Sequence, residues 1–166
     1  MASNHLEQLA AEWYEYRGYF VRRNVRVGPR AQGGHEGELD IVAFDPRKAA
    51  LVHIETSGDA DSWAERERRF AKKFLTGEKH IRALFHGLPK KTPIEKIAIF
   101  AVGSRKNHQS VGGGQIKLLG EFLAEILADL ENVSWSRRAV PEQYPLIRTL
   151  QIVSEFRESI FKGSSV

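Results

Sequence analysis

Two acidic residues, Asp40 and Glu55, stand on consecutive segments that could bring them together. The stretch Gly37-Glu38-Leu39-Asp40-Ile41-Val42-Ala43 alternates, and so does Leu51-Val52-His53-Ile54-Glu55-Thr56-Ser57. Alternation of this kind reads as strand. Asp45-Pro46-Arg47 supplies a turn between them, so the two strands should pair antiparallel. Asp40 is near the start of the first and Glu55 near the end of the second. Those ends lie side by side in a hairpin, and the carboxylates can converge. Two close anions repel unless a cation sits between them. Mg²⁺, or Mn²⁺ in its place, would suit the pair, because such an ion commonly takes one or two carboxylates plus substrate phosphate. It could orient a phosphodiester and acidify an attacking water. The competing reading is a pair of ordinary strand-end acids facing solvent.

Elements on either side must hold that hairpin. Residues 5–17 read as a helix with Leu6, Leu9, Trp13 and Tyr16 at helical spacing, stopped by Gly18. A first strand is expected near 19–26, then a glycine-rich loop over 28–37. In the hairpin, Leu39, Ile41 and Ala43 should share one face. In its second strand, Leu51, His53 and Glu55 share one face and Val52 and Ile54 the other. Residues 62–75 look helical, with Trp63, Phe70 and Phe74 as anchors, and 79–85 as a further helical piece. Residues 94–102 read as a buried strand and 108–114 as a loop. Helices are expected over 116–130 and 146–161, joined by an irregular stretch, with a loose tail over 163–166. The order predicts an α/β (α+β) domain, a mixed sheet flanked by helices.

The chain has 166 residues, 42% of them hydrophobic, a size that suits one domain with its own core. The core is expected over 5–131, with a helical extension over 132–162. There is no cysteine, so disulfides, thiolate zinc sites and cysteine nucleophiles are excluded. The first residues are polar and no run approaches the roughly 18 apolar residues of a membrane span, which predicts a cytoplasmic protein without a membrane partner. Net charge is +4. Arg23, Arg26 and Arg30 cluster early, Arg66, Arg69, Lys72 and Lys73 later, and Arg105 with Lys106 later still. These read either as solvated faces or as contacts to a polyanion.

The string Gly37 to Asp45, a short turn, then Leu51 to Thr56 resembles the active-site hairpin of PD-(D/E)-x-K nucleases, the restriction-endonuclease-like superfamily. The closer likeness is to small bacterial endonuclease-like proteins similar to archaeal Holliday junction resolvases. Glu7, Gly18-Tyr19, Arg23-Asn24-Val25-Arg26 and Gly37-Glu38-Leu39-Asp40 match that pattern in order, over roughly residues 5–75. The resemblance implies an αβββαβ core. It implies Asp40 and Glu55 as metal ligands, joined by the backbone carbonyl of Thr56 and approached by Glu7. It also implies DNA as partner, and a homodimer using the apolar C-terminal helices.

One departure matters. Ser57 stands where the family's closing lysine belongs, and a hydroxyl cannot carry the missing positive charge. Either the cation has moved to the following helix, Lys73 ahead of Lys72, or the site is degenerate. His35, in the glycine loop, could reach a phosphate or be merely exposed. His53 could support Glu55 or be a core histidine. The expected activity is a Mg²⁺-dependent DNA endonuclease with structure-directed or weak sequence specificity. The rival is a non-catalytic module of the same fold that binds nucleic acid or a protein.

Overall fold

A computed structural model describes residues 4–105 and 107–162, the last by its backbone alone. Lys106 and the tail 163–166 lie outside the described residues. The elements run α1 (His5–Tyr16), β1 (Phe20–Pro29), β2 (His35–Asp45), β3 (Ala50–Ser57), α2 (Trp63–His80), a 3-10 turn at Ile81–Leu84, and β4 (Ile94–Phe100). Then follow β5 (Ser110–Val111), β6 (Gly114–Leu118), α3 (Leu119–Leu130), α4 (Pro145–Glu155) and α5 (Arg157–Lys162). The six strands form one mixed sheet in the order β1-β2-β3-β4-β6-β5.

Asn4 starts α1 by accepting the Leu6 N–H at 3.1 Å, and Glu7 in the first turn suits the helix dipole. Leu6, Leu9, Ala10 and Trp13 turn one buried face to the sheet. Gly18, at φ +87°, then lets the chain leave the helix for β1.

β1, β2 and β3 form an antiparallel meander. β3 then runs parallel to β4, with α2 as the crossover, so β3 sits mid-sheet and is buried from Leu51 to Ser57. The two faces are covered by different helices. Val52, Ile54, Ile97 and Ile99 pack with Trp13 of α1, Phe122 and Ile126 of α3 and Ile147 of α4. On the other face Phe70 and Phe74 of α2 meet Ala98, Phe100 and Ile116.

Four details depart from the sequence reading. Residues 116–118 are strand, not helix: Gly112 and Gly113 take φ +55° and +78°, the turn of a tight hairpin, and β5 and β6 add two strands to the sheet. The last helix breaks at Phe156 into α4 and α5. α2 is longer than expected and reaches His80. Leu39 does not share a face with Ile41 and Ala43. It packs with Val25, Val27, Val42 and Leu51, while Ile41 and Ala43 lie in the α1 core. The reversal falls between the pairs Arg23↔Ile41 and Val25↔Leu39, where Asn24 adopts φ +50° and breaks the regular pleat.

The C-terminal segment is built into the core rather than appended to it. Tyr144 offers α4 no side-chain cap. Instead the Glu12 carboxylate of α1 accepts the N–H groups of Leu146 at 2.8 Å and Ile147 at 3.3 Å. Gln151, fully buried, accepts the Val140 N–H and donates to the carbonyls of Val133 and Arg138, which pins the irregular stretch. Ile152, Phe156 and Ile160 stay exposed on α4 and α5. No helix among the described residues is long and apolar enough to cross a membrane.

Candidate active site

The β2–β3 ladder pairs residues from Asp45↔Ala50 to Ile41↔Ile54 and stops there. Asp40 and Glu55 are the next residues on each strand. With no further paired residues, their backbones and side chains satisfy one another. The Asp40 N–H donates to Glu55 Oε1 at 3.3 Å. The Thr56 N–H and hydroxyl both donate to Asp40 Oδ2, at 2.8 and 3.1 Å. Asn4 Nδ2 in turn donates to the Thr56 hydroxyl at 3.1 Å, so the residue that caps α1 also ties it to β3.

Lys73 completes the cluster from α2. Its Nζ donates to Asp40 Oδ1 at 2.7 Å and to Glu55 Oε2. Burial of Phe70 and Phe74 fixes the rotation of α2 and brings Lys73 over the carboxylates. His53 approaches from beneath, its Nε2 2.6 Å from Glu55 Oε1. Both side chains are wholly buried. His53 fits because position 77 is glycine: a Cβ there would lie 2.2 Å from His53 Nδ1. That Nδ1 has no hydrogen-bond partner.

Burial and charge pull the titrating groups in different directions. Burial pushes the Glu55 carboxyl up, and the neighbouring Asp40 charge adds to that against the opposing bond to His53. Burial also opposes Asp40, but the charge and hydrogen bond of Lys73, with the Thr56 N–H, outweigh it and leave Asp40 below its usual value. The same balance holds the Lys73 ammonium above its usual value, since Glu55 and Asp40 overcome its partial burial. Lys73 therefore stays charged and acts as a donor.

Glu7 comes from the first turn of α1. Its carboxyl is raised by burial and then by the charge of Asp40. Arg23 stands 3.9 Å from Glu7 Oε1, an oxygen that is buried without a hydrogen-bond partner. Among the described residues, no three His, Asp or Glu side chains form a ready metal-ligand group. The donor set is thus two carboxylates sharing an amine, with a third acid, Glu7, electrostatically coupled to them.

Other expected site residues lie elsewhere. The Ser57 hydroxyl accepts the Asp59 N–H at 3.2 Å and shapes the loop into α2. Lys72 is exposed on the flank of α2, and of the two lysines it is Lys73 whose amine bonds Asp40 and Glu55. Arg66 is buried: it donates to the carbonyls of Asp59 and Val102 and stacks over Trp63 and Phe100, which leaves no route to a phosphate. Arg69 is bound to Asp59 and Asp61. Arg26 pairs with Glu38 at 3.2 Å. Arg30 and His35 are exposed at the two ends of the β1–β2 turn.

The roles of Asn4 and Gly77 escaped the sequence reading. Asn4 caps α1, but its bond to Thr56 depends on where α1 lands on the sheet. No family model matches the chain, and no curated protein matches it.

Proposed function

We propose that the chain is a Mg²⁺- or Mn²⁺-dependent DNA endonuclease of the PD-(D/E)-x-K, restriction-endonuclease-like kind, with Lys73 in the place of the family's closing lysine. The observation that carries this reading is the Lys73 amine bonded to both Asp40 and Glu55. A cation, an Asp and a Glu meet at the mouth of a splayed strand pair, although the lysine arises from a different element. The order of α1, β1 to β3, α2 and β4 is compatible with the αβββαβ core that this reading requires.

The donor chemistry fits a hard divalent cation, which would take oxygen from Asp40 and Glu55 with Glu7 nearby. Such an ion, when bound, supplies positive charge to the scissile phosphate and lowers the pKa of an attacking water. The chain's own residues do the rest. Lys73, held protonated, donates to a phosphate or attacking oxygen as negative charge develops there. His53 fixes the orientation of Glu55 through one oxygen and leaves the other toward Lys73. Thr56 and Asn4 hold Asp40 in place from the α1 side.

One observation favours the rival reading of a non-catalytic binding module. The Lys73 amine bridges both acids and offsets part of their charge without a metal, the arrangement of a structural ion pair. Plasmid, linear duplex and four-way junction DNA incubated with Mg²⁺ or Mn²⁺ separate the two. The nuclease reading expects cutting that falls by about 10²-fold or more in Asp40→Ala and Lys73→Met with folding retained. Absence of cutting by the wild type in either metal, with salt-dependent DNA binding kept, selects the binding module.

A further inference from the structure

α2 borders two open clefts beside Lys73. The nearer, of about 320 Å³, takes Lys73, Lys72 and Arg69 on one wall and Glu38 and Leu39 on the other. The next, of about 560 Å³, includes Arg30, Leu75 and Lys79. Both are lined by Glu36, Lys72 and Thr76, so they form one groove along α2 from Lys73 to Arg30 beside the β1–β2 turn.

The side chains that line this groove include more cations than acids. Each acid on it has a cation of its own. Glu36 is bound by Lys79 at 2.8 Å and by His80. Glu38 is bound by Arg26, and Glu78 by Lys96 at 2.7 Å. Two of the cations are likewise matched, Arg68 by Glu65 and Arg69 by Asp59 and Asp61. Lys72 and Arg30 remain. Both are exposed, and neither has an ion pair among the described residues. The unpaired cations are therefore set along the groove at two points beyond Lys73. Leu75, 68% exposed on the same wall, offers apolar surface between charged positions.

A chain of spaced anions carrying flat apolar groups matches this open, elongated layout better than a single small anion, which an enclosed cradle would suit. We propose that the groove is the track of one phosphodiester strand leading away from the cutting point, with Lys72 and Arg30 each taking a backbone phosphate. The proposal rests on the DNA-cleaving reading of the Lys73 cluster and names how its substrate lies.

Binding of a fluorescein-labelled 20-base-pair duplex in EDTA, followed by anisotropy across a salt series, tests the track apart from the chemistry. Each phosphate contact contributes about 0.9 to the slope of log K against log salt on duplex DNA. Lys72→Gln and Arg30→Gln should each flatten the slope by about that much. The double variant should lose about tenfold or more in affinity at low salt. Lys90→Gln with Lys91→Gln, exposed in the turn before β4, should leave the slope as in the wild type. Circular dichroism checks that each variant folds. A double variant with the wild-type slope overturns the track, as does a wild type that fails to bind. If slopes flatten as expected but no DNA is ever cut, the track stands and the nuclease reading fails. If cutting persists and slopes do not change, the track alone is wrong.

Discussion

At the scale of single residues, the site turns on which of two adjacent lysines faces the acids. Neighbours on a helix point about 100° apart, so a shift of one position exchanges their roles. Asp40 and Glu55 were legible because strand alternation and a short turn are local. The sequence ranked Lys73 ahead of Lys72 but could not decide between them, because the choice depends on the depth to which Phe70 and Phe74 sink against β4 and β6. Removing the cation should expose what it offsets. Lys73→Met leaves Glu55, wholly buried, and Asp40 without a positive partner. The expected loss is about 1–3 kcal/mol in EDTA, below that of a fully buried pair because a third of Lys73 is exposed. Mg²⁺ should then raise the melting temperature of the variant more than that of the wild type, read by thermal denaturation with and without the ion. A variant as stable as wild type in EDTA would show that Lys73 does not hold the acids. Gly77→Ala tests the other side of Glu55. The new methyl would overlap His53, and chemical denaturation should show a cost of about 1–3 kcal/mol. Pairing it with His53→Ala should recover part of that cost, since the second change removes the ring that clashes.

At the scale of elements, the β2–β3 hairpin carries both the acids and its own lock. Asp45, at the end of β2, accepts from the Arg47 side chain at 2.9 Å and from its N–H at 3.0 Å. The Arg47 side-chain bond holds the Asp45 carboxyl below its ordinary value. A carboxyl depressed in the folded state stabilises above its unfolded pKa, about 3.9, and loses that contribution as pH falls through the folded value. Asp45→Asn should therefore melt earlier than wild type near neutral pH, and the gap should close below about pH 4. A gap that does not change across that range would mean that the charge is irrelevant and only shape matters. Long elements with clear periodicity were readable from sequence: α1, β2, β3, α2 and β4. The β5–β6 hairpin was not. β5 spans two residues, too few to alternate, and its partner runs directly into α3. What forms it is contact with α2: the Gly112 N–H donates to Glu67 at 2.9 Å, and a Cβ at Gly112 would strike the backbone of Ala71.

At the scale of the whole molecule, α4 closes over α1 and shares a core with it. Glu12 is the link, a helix-interior acid that caps another helix far along the chain. Nothing in its sequence neighbourhood could announce this, because the N–H groups it caps lie more than 130 positions away. Glu12→Ala should cost about 1–2 kcal/mol, the value of a lost helix cap. In urea the midpoint should fall while the slope stays constant, because the same surface is still exposed in one transition. A second, earlier transition would mean that the C-terminal helices melt on their own. The sheet also has two open borders, β1 and β5, and an open border invites another chain to add itself. β5 is too short to serve as a template. β1 is long, but it carries Arg22, Arg23 and Arg26, is bent at Asn24 and ends on Pro29. A stray strand arriving there meets like charge on basic partners, an irregular backbone and a missing donor, so the protein can keep a ten-residue border uncovered in a crowded solution without polymerising along it.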